Sequence, residues 1–284
     1  MLIRALCLWV ACGTALAITV TDDLGRKVEL KQPAQRIVAL APALTELAYS
    51  AGAGAKLVGA STYSDYPPAA KALPQVASAA GPEIEPIAAL KPDLVLAWED
   101  SIRREDVERI ERLGIPVFVA RAKRLEDPPR LAEAIARLAG TDAAGPARAY
   151  RERMERARVR GARPRVRAFV EVWHKPLTTI GARHWINEAL ALCGAENVFD
   201  DLPQVAPVVS WEEVYRRDPD AIVGTPAPGH EGDFIAAWRD RSTLRAVAES
   251  RFVFVDPDRL QRPTLRLADG VAALCAGVEQ ARKR

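Results

Sequence analysis

Three aromatic residues stand where apolar runs end. Tyr63 follows KLVGA, Trp98 closes DLVLA and Trp173 follows AFVEV. Runs of this kind read as strands of a parallel sheet buried on both faces. In such sheets, ligands gather outside the carboxyl ends of the strands. Rings placed there stack on a flat ligand, whose polar edges need matching hydrogen-bond partners. Asp258, Gln261 and Arg262 follow the last apolar run, FVFV, and supply an acid, an amide and a guanidinium. Tyr63 belongs to STYSDYPP, where Pro67 and Pro68 restrict the backbone. The chemistry on offer is noncovalent: stacking and hydrogen bonding by a stiffened loop.

Covalent chemistry finds little support. The chain has no Gly-x-Ser-x-Gly, no phosphate-binding Walker loop, no Gly-x-Gly-x-x-Gly and no His-Glu-x-x-His. Its three histidines, His174, His184 and His230, all lie in the second half. His174, between Trp173 and Lys175-Pro176, reads as a solvated loop residue rather than a metal ligand. No catalytic residue and no metal site is expected. Forty basic residues against 37 acidic ones give a net charge of +3, too small to argue for nucleic acid or a membrane surface. An apolar content of 49% over 284 residues is enough for one large or two medium domains.

These residues must be positioned by alternating elements. ITVTDDLGRKVELK alternates around an Asp-Leu-Gly turn and predicts a β-hairpin. RIVALAP, KLVGAS, DLVLAW and IPVFVA predict strands, separated by helical segments at 45–52, 86–90 and 103–113. From Pro129 to Arg160 the chain is rich in Ala, Arg and Glu and is broken at Gly140 and Gly145-Pro146. A helix from Pro146 to Arg160 places Tyr150, Met154 and Ala157 on one stripe. The strand pattern then restarts at VRAFVEV, and WINEALALCG reads as a helix ending in Gly. Trp185 and Trp238 fall on apolar helix faces and are assigned to the core. A closing helix is predicted from Leu265 to Arg282.

The two halves echo each other. Glu85 and Glu212 each precede a Pro-Asp by seven residues, and each Pro-Asp feeds an apolar strand. Glu46 and Glu188 each precede a Gly-Ala by six. Such a repeat predicts two similar α/β lobes with parallel sheets, one on either side of the helix. The expected division is 18–143 for the first lobe, 144–162 for the connecting helix and 163–284 for the second. Residues 1–17 read as a secretory signal: one Arg, a short apolar stretch and a small-x-small end at Ala15-Leu16-Ala17. Lipidation at Cys12 is the alternative, disfavoured by Trp9 three places before it. Cys193 and Cys275 then remain in an oxidising compartment, as a disulfide or as two buried thiols.

RIVALAPALTELAYSAGAG, STYSDYPP, IEPIAALKPDLVLAW and VEVWHKPLTTIG…INEALALCGAENVF together resemble the periplasmic cobalamin (vitamin B12)-binding proteins of ABC importers. The resemblance runs in order over almost the whole chain after residue 17. YSDYPP and WHKPLTTIG are its most specific parts. It implies two Rossmann-like lobes joined by one long helix, with the ligand cleft between them. It implies a periplasmic protein, monomeric when free, that delivers cobalamin to a membrane permease and its ATPase. Cobalamin would be the transported ligand and no catalytic cofactor would be needed.

By position, Tyr63 and Trp98 match cleft residues of that family, and Asp258 with Arg262 matches an acidic–basic pair at the ligand's polar rim. Glu85 and Glu212 match glutamates that dock into the permease, one from each lobe. Cys193 and Cys275 match a family disulfide. A second-lobe tryptophan of some members is absent, with Val205-Ala206-Pro207 in its place, and Trp173 is expected to compensate. The alternatives on the same fold are haem or an iron–siderophore. Tyr63 could ligate ferric haem, and Arg259, Arg262 and Arg266 could hold an anionic siderophore. A metalloenzyme on a related two-lobed fold is a more distant reading, since only two cysteines would survive export.

Overall fold

The structure is a computed structural model that describes residues 17–159 and 163–283. The expected signal lies outside the described residues except for Ala17. The hairpin forms as predicted: β1 (Ile18–Thr21) pairs antiparallel with β2 (Lys27–Leu30). It is followed by β3 (Ile37–Ala39), α1 (Pro42–Ser50), β4 (Leu57–Ser61), β5 (Gln75–Ser78) and β6 (Gly81–Pro82). Then come α2 (Ile84–Ala89), β7 (Leu94–Trp98), α3 (Arg104–Arg112) and β8 (Val117–Ala120). These strands make a six-stranded sheet in the order β6-β5-β4-β3-β7-β8, parallel except for β6. α4 (Asp127–Ala139) and α5 (Ala144–Ala157) lead away from it.

The second lobe repeats the plan. It runs through β9 (Val166–Glu171), α6 (Trp185–Leu192), β10 (Ala195–Asn197), α7 (Trp211–Arg217) and β11 (Ala221–Gly224). α8 (Glu231–Trp238), α9 (Arg245–Ala248), β12 (Phe252–Phe254), α10 (Pro257–Leu260) and α11 (Leu267–Lys283) complete it. Its four strands are all parallel in the order β10-β9-β11-β12. That order matches β4-β3-β7-β8 of the first lobe.

The repeated Pro-Asp has a mechanical purpose. Asp93 accepts the backbone N–H groups of Gln35 and Arg36 at 2.8 and 2.9 Å. Asp220 accepts that of Arg167 at 2.9 Å. Each carboxylate thus satisfies donors at the start of the neighbouring central strand, where ladder bonds have not yet begun.

Successive strand residues face opposite ways, and helices cover both faces. On one side of the first sheet, Ile37, Leu94, Leu96 and Phe118 pack with Leu44 and Leu47 of α1 and Leu131 and Ile135 of α4. On the other, Val38, Val95, Val117 and Val119 pack with Ile87 of α2 and Ile110 of α3. In the second lobe Phe169, Phe199 and Trp238 form an edge-to-face cluster, and Trp238 is fully buried as predicted.

α5 packs against α4 of one lobe and α11 of the other. Tyr150 and Met154 are buried on its expected stripe. The helix ends at Ala157, earlier than predicted, because Val159 gives its N–H to the carbonyl of Leu192 at 2.9 Å rather than to a helical partner. Residues 160–162 of the expected connector lie outside the described residues. Cys193, just past α6, is bonded to Cys275 of α11.

Candidate functional site

A cavity of ≈ 380 Å³ opens between the lobes. Most of its wall consists of carboxyl strand ends of the first sheet. Leu40–Ala43 follow β3, Ser61 ends β4 and leads into Thr62 and Tyr63, Ser78 ends β5 and leads into Ala79, and Trp98 ends β7. The second lobe adds Trp185 from the start of α6 and Gln261–Pro263 from the segment after α10. The lining therefore combines three large rings with short hydroxyls and an amide.

Tyr63 is held in an uncommon conformation. Its φ of +62° lies in the left-handed region, which a bulky residue rarely occupies. The surrounding loop over-determines it. Ser64 Oγ lies 3.1 Å from both Thr45 Oγ1 and Ser61 Oγ, all buried. Thr62 N–H bonds to the Ala77 carbonyl at 2.8 Å. The phenol is left 79% exposed. Local strain kept by a hydrogen-bonded frame points to a ring presented for use.

The helical spacing of WINEALAL assigns Trp185 to the core, and the residue does pack against the second-lobe core while also lining the cavity. It is the first residue of α6, so its ring lies at the rim of the helix's packed face and reaches the cavity. Its indole N–H donates to Leu260 O at 3.0 Å, tying together the two second-lobe pieces of the wall. His184 lies behind it with ring centroids 3.9 Å apart and caps α6 by accepting the Ile186 N–H. Burial pushes the His184 imidazole down to about 4.

Arg262 lines the cavity, and Asp258 lies beside it with Oδ1 3.1 Å from Nη2. Two further carboxylates, neither expected at the site from the sequence, meet the same arginine. Asp65 accepts from Nη1 at 2.9 Å and Glu46 at 3.1 Å. Arg262 holds the Asp65 carboxyl below its usual range. Glu46, in α1 of the opposite lobe, also takes two bonds from Arg266 at 2.6 and 2.9 Å. Arg266 in turn lies 3.8 Å over the Tyr66 ring.

Trp173 lies outside the cavity lining. It is 65% exposed, and its N–H turns back to Lys175 O at 2.9 Å. The chain after β9 bridges Trp173 to Thr178 and Thr178 to Val208, and the ring is not part of the cavity wall. His174 bonds through Nδ1 to the buried Glu171 at 3.0 Å rather than being only solvated. Burial raises the Glu171 carboxyl, against the opposing pull of His174. Glu85 and Glu212 are both exposed, in the first turns of the equivalent helices α2 and α7.

Two facing α/β lobes with an aromatic cavity at their strand ends define a class of protein that holds a small molecule between its lobes. The chain matches the periplasmic binding protein family over residues 37–259, and it belongs to that family. It is 34% identical over 255 residues to a Vitamin B12-binding protein of Vibrio cholerae, covering 89% of this chain and 92% of that one. The crystal structure of the periplasmic vitamin B12 binding protein BtuF of Vibrio cholerae superposes with a TM-score of 0.79. Identity there is 32%, over 89% of this chain and 99% of that one. A periplasmic heme binding protein from Pseudomonas aeruginosa shares the fold, with a TM-score of 0.71 and 24% identity over 86% of this chain and 92% of that one.

Proposed function

We propose that this chain captures cobalamin in the interlobe cavity, in the periplasm, and delivers it to the permease and ATPase of an ABC importer. It performs no chemistry on its ligand. The observation that carries this reading is the lining: Tyr63, Trp98 and Trp185 around hydroxyls, an amide and one guanidinium. A corrin offers a broad face to rings and a fringe of amides to polar groups. It is larger than the cavity, so its edge reaches beyond the lining, towards Asp258 beside Arg262. The relatives named above support the ligand assignment.

Residues 18–143 and 163–284 act as the two lobes, with 144–162 as the connector. Glu85 and Glu212 present one carboxylate from each lobe to a permease of two-fold symmetry. Glu212 stays ionised readily, because hydrogen bonds from its own N–H and the Ser210 hydroxyl hold its carboxyl below the usual range. A second reading, haem, is favoured by one feature, the exposed Tyr63 hydroxyl, which could ligate ferric iron.

Calorimetric titration with cyanocobalamin, with haemin in parallel, decides between them. One-to-one cobalamin binding with weak or no haemin binding is expected. Tight haemin binding without cobalamin binding would overturn the assignment.

A further inference from the structure

Arg262 is the only charged residue among the described residues that line the cavity. Three carboxylates meet it, those of Glu46, Asp65 and Asp258. Arg266 spends its guanidinium on the same Glu46, whose side chain is only 2% exposed. Arg259, the third arginine of this segment, pairs with Asp256 at 3.3 Å. Two guanidinium charges are thus set against three carboxylates at the cavity wall. The exposed Lys71 adds only a weak field at Asp65. A cleft built for an anionic ligand would leave its cations free to meet it.

We propose that Glu46 and Asp65 are specificity-determining residues: by neutralising Arg262 they make this wall read uncharged amide edges and reject carboxylates. The proposal rests on the cobalamin reading of the same cavity. Arg262 keeps its Nε–H without a hydrogen-bond partner among the described residues, so it can still donate to an amide carbonyl. Asp65, with its side chain 46% exposed, can accept an amide N–H. A ligand carboxylate in the same place would give up its hydration beside a surplus of negative charge. The wall therefore distinguishes two groups of nearly equal size by charge alone.

The test uses cyanocobalamin and its monocarboxylic acids, in each of which one propionamide is hydrolysed to a propionate. Affinities are measured for wild type, Asp65→Asn and Glu46→Gln. At least one acid isomer is expected to bind wild type about tenfold more weakly than cyanocobalamin. Asp65→Asn should narrow that gap by about threefold or more, and high salt should narrow it too. Glu46→Gln should act in the same direction. Glu46 is buried, so if that variant does not fold, the loop variant Asp65→Asn decides alone. Equal binding of every isomer by wild type would overturn the proposal and leave the cobalamin reading intact. So would a gap that Asp65→Asn leaves unchanged. No binding of cyanocobalamin at all would overturn both.

Discussion

The carboxylate of Glu188 crosses from the second lobe to the first, where its Oε2 accepts the backbone N–H of Leu125 at 2.8 Å. Its other oxygen receives Arg124 Nε at 3.2 Å. Glu188 is the repeat partner of Glu46, which reaches Arg262 and Arg266 in the opposite direction. Each lobe's first helix therefore lends a glutamate to the segment that leads into the other lobe's last helix. The two crossings differ in chemistry. Glu46 is buried against two guanidiniums, whereas Arg124 is largely solvated and Glu188 half-exposed, so their charge pairing contributes little and the Leu125 bond carries the contact. The peptide groups of Leu125 are held on both sides, since its carbonyl accepts from the Tyr150 hydroxyl of α5 at 2.7 Å.

Glu188→Ala should release the Leu125 amide. Hydrogen exchange at that single N–H is expected to accelerate by about tenfold, the value of one lost hydrogen bond. Unchanged protection would show that the rest of the interface holds this segment without Glu188.

Removing the cavity rings should weaken ligand binding. Tyr63→Ala, Trp98→Ala and Trp185→Ala are each expected to cost about 1–3 kcal/mol of cyanocobalamin affinity, about five- to 150-fold. Tyr63→Ala should leave the melting temperature nearly unchanged, because its ring is exposed and alanine carries the same left-handed backbone cost. If all three variants bind like wild type, the ligand lies elsewhere.

Charge reversal at the proposed docking residues should separate capture from delivery. Glu85→Arg with Glu212→Arg is expected to bind cyanocobalamin normally and to fail in uptake by cells that depend on this importer. Normal uptake by the double variant would remove both residues from the docking surface.

Acid should destabilise the second lobe through His184. Folding lowers its pKa from 6.5 to about 4 by burial. Below 6.5 the unfolded chain takes up a proton that the folded chain refuses. Stability from this group is complete above that value and falls as the pH drops towards 4, by about 2–3 kcal/mol. His184→Asn keeps a side-chain acceptor at the start of α6. Urea unfolding of this variant should show a flatter pH dependence across that window. Parallel curves for variant and wild type would rule out the His184 contribution.

The lobes were legible because their signals are local. Alternating apolar runs and helices announce a parallel sheet, and the repeated Pro-Asp does the same strand-starting work in both halves. Tyr63 and Trp98 were legible as strand-end rings, and both line the cavity. Glu46 was visible only as a marker of the repeat. Its partners lie 216 and 220 positions away, and nothing in LTELAYS distinguishes a carboxylate destined for two arginines from a solvated one. Asp65 sat inside the quoted loop, but its arginine is 197 positions distant. Trp173 shows the limit of the strand-end rule. The rule locates where a strand stops, but Trp173, two residues past β9, sits in a bridged segment and does not line the cavity.

The Cys193–Cys275 bond joins the far end of α6 to α11. α6 begins at Trp185, and the segment bearing Gln261 and Arg262 runs directly into α11. Both second-lobe pieces of the cleft wall are therefore mounted on one covalent frame. That frame closes only where thiols are oxidised.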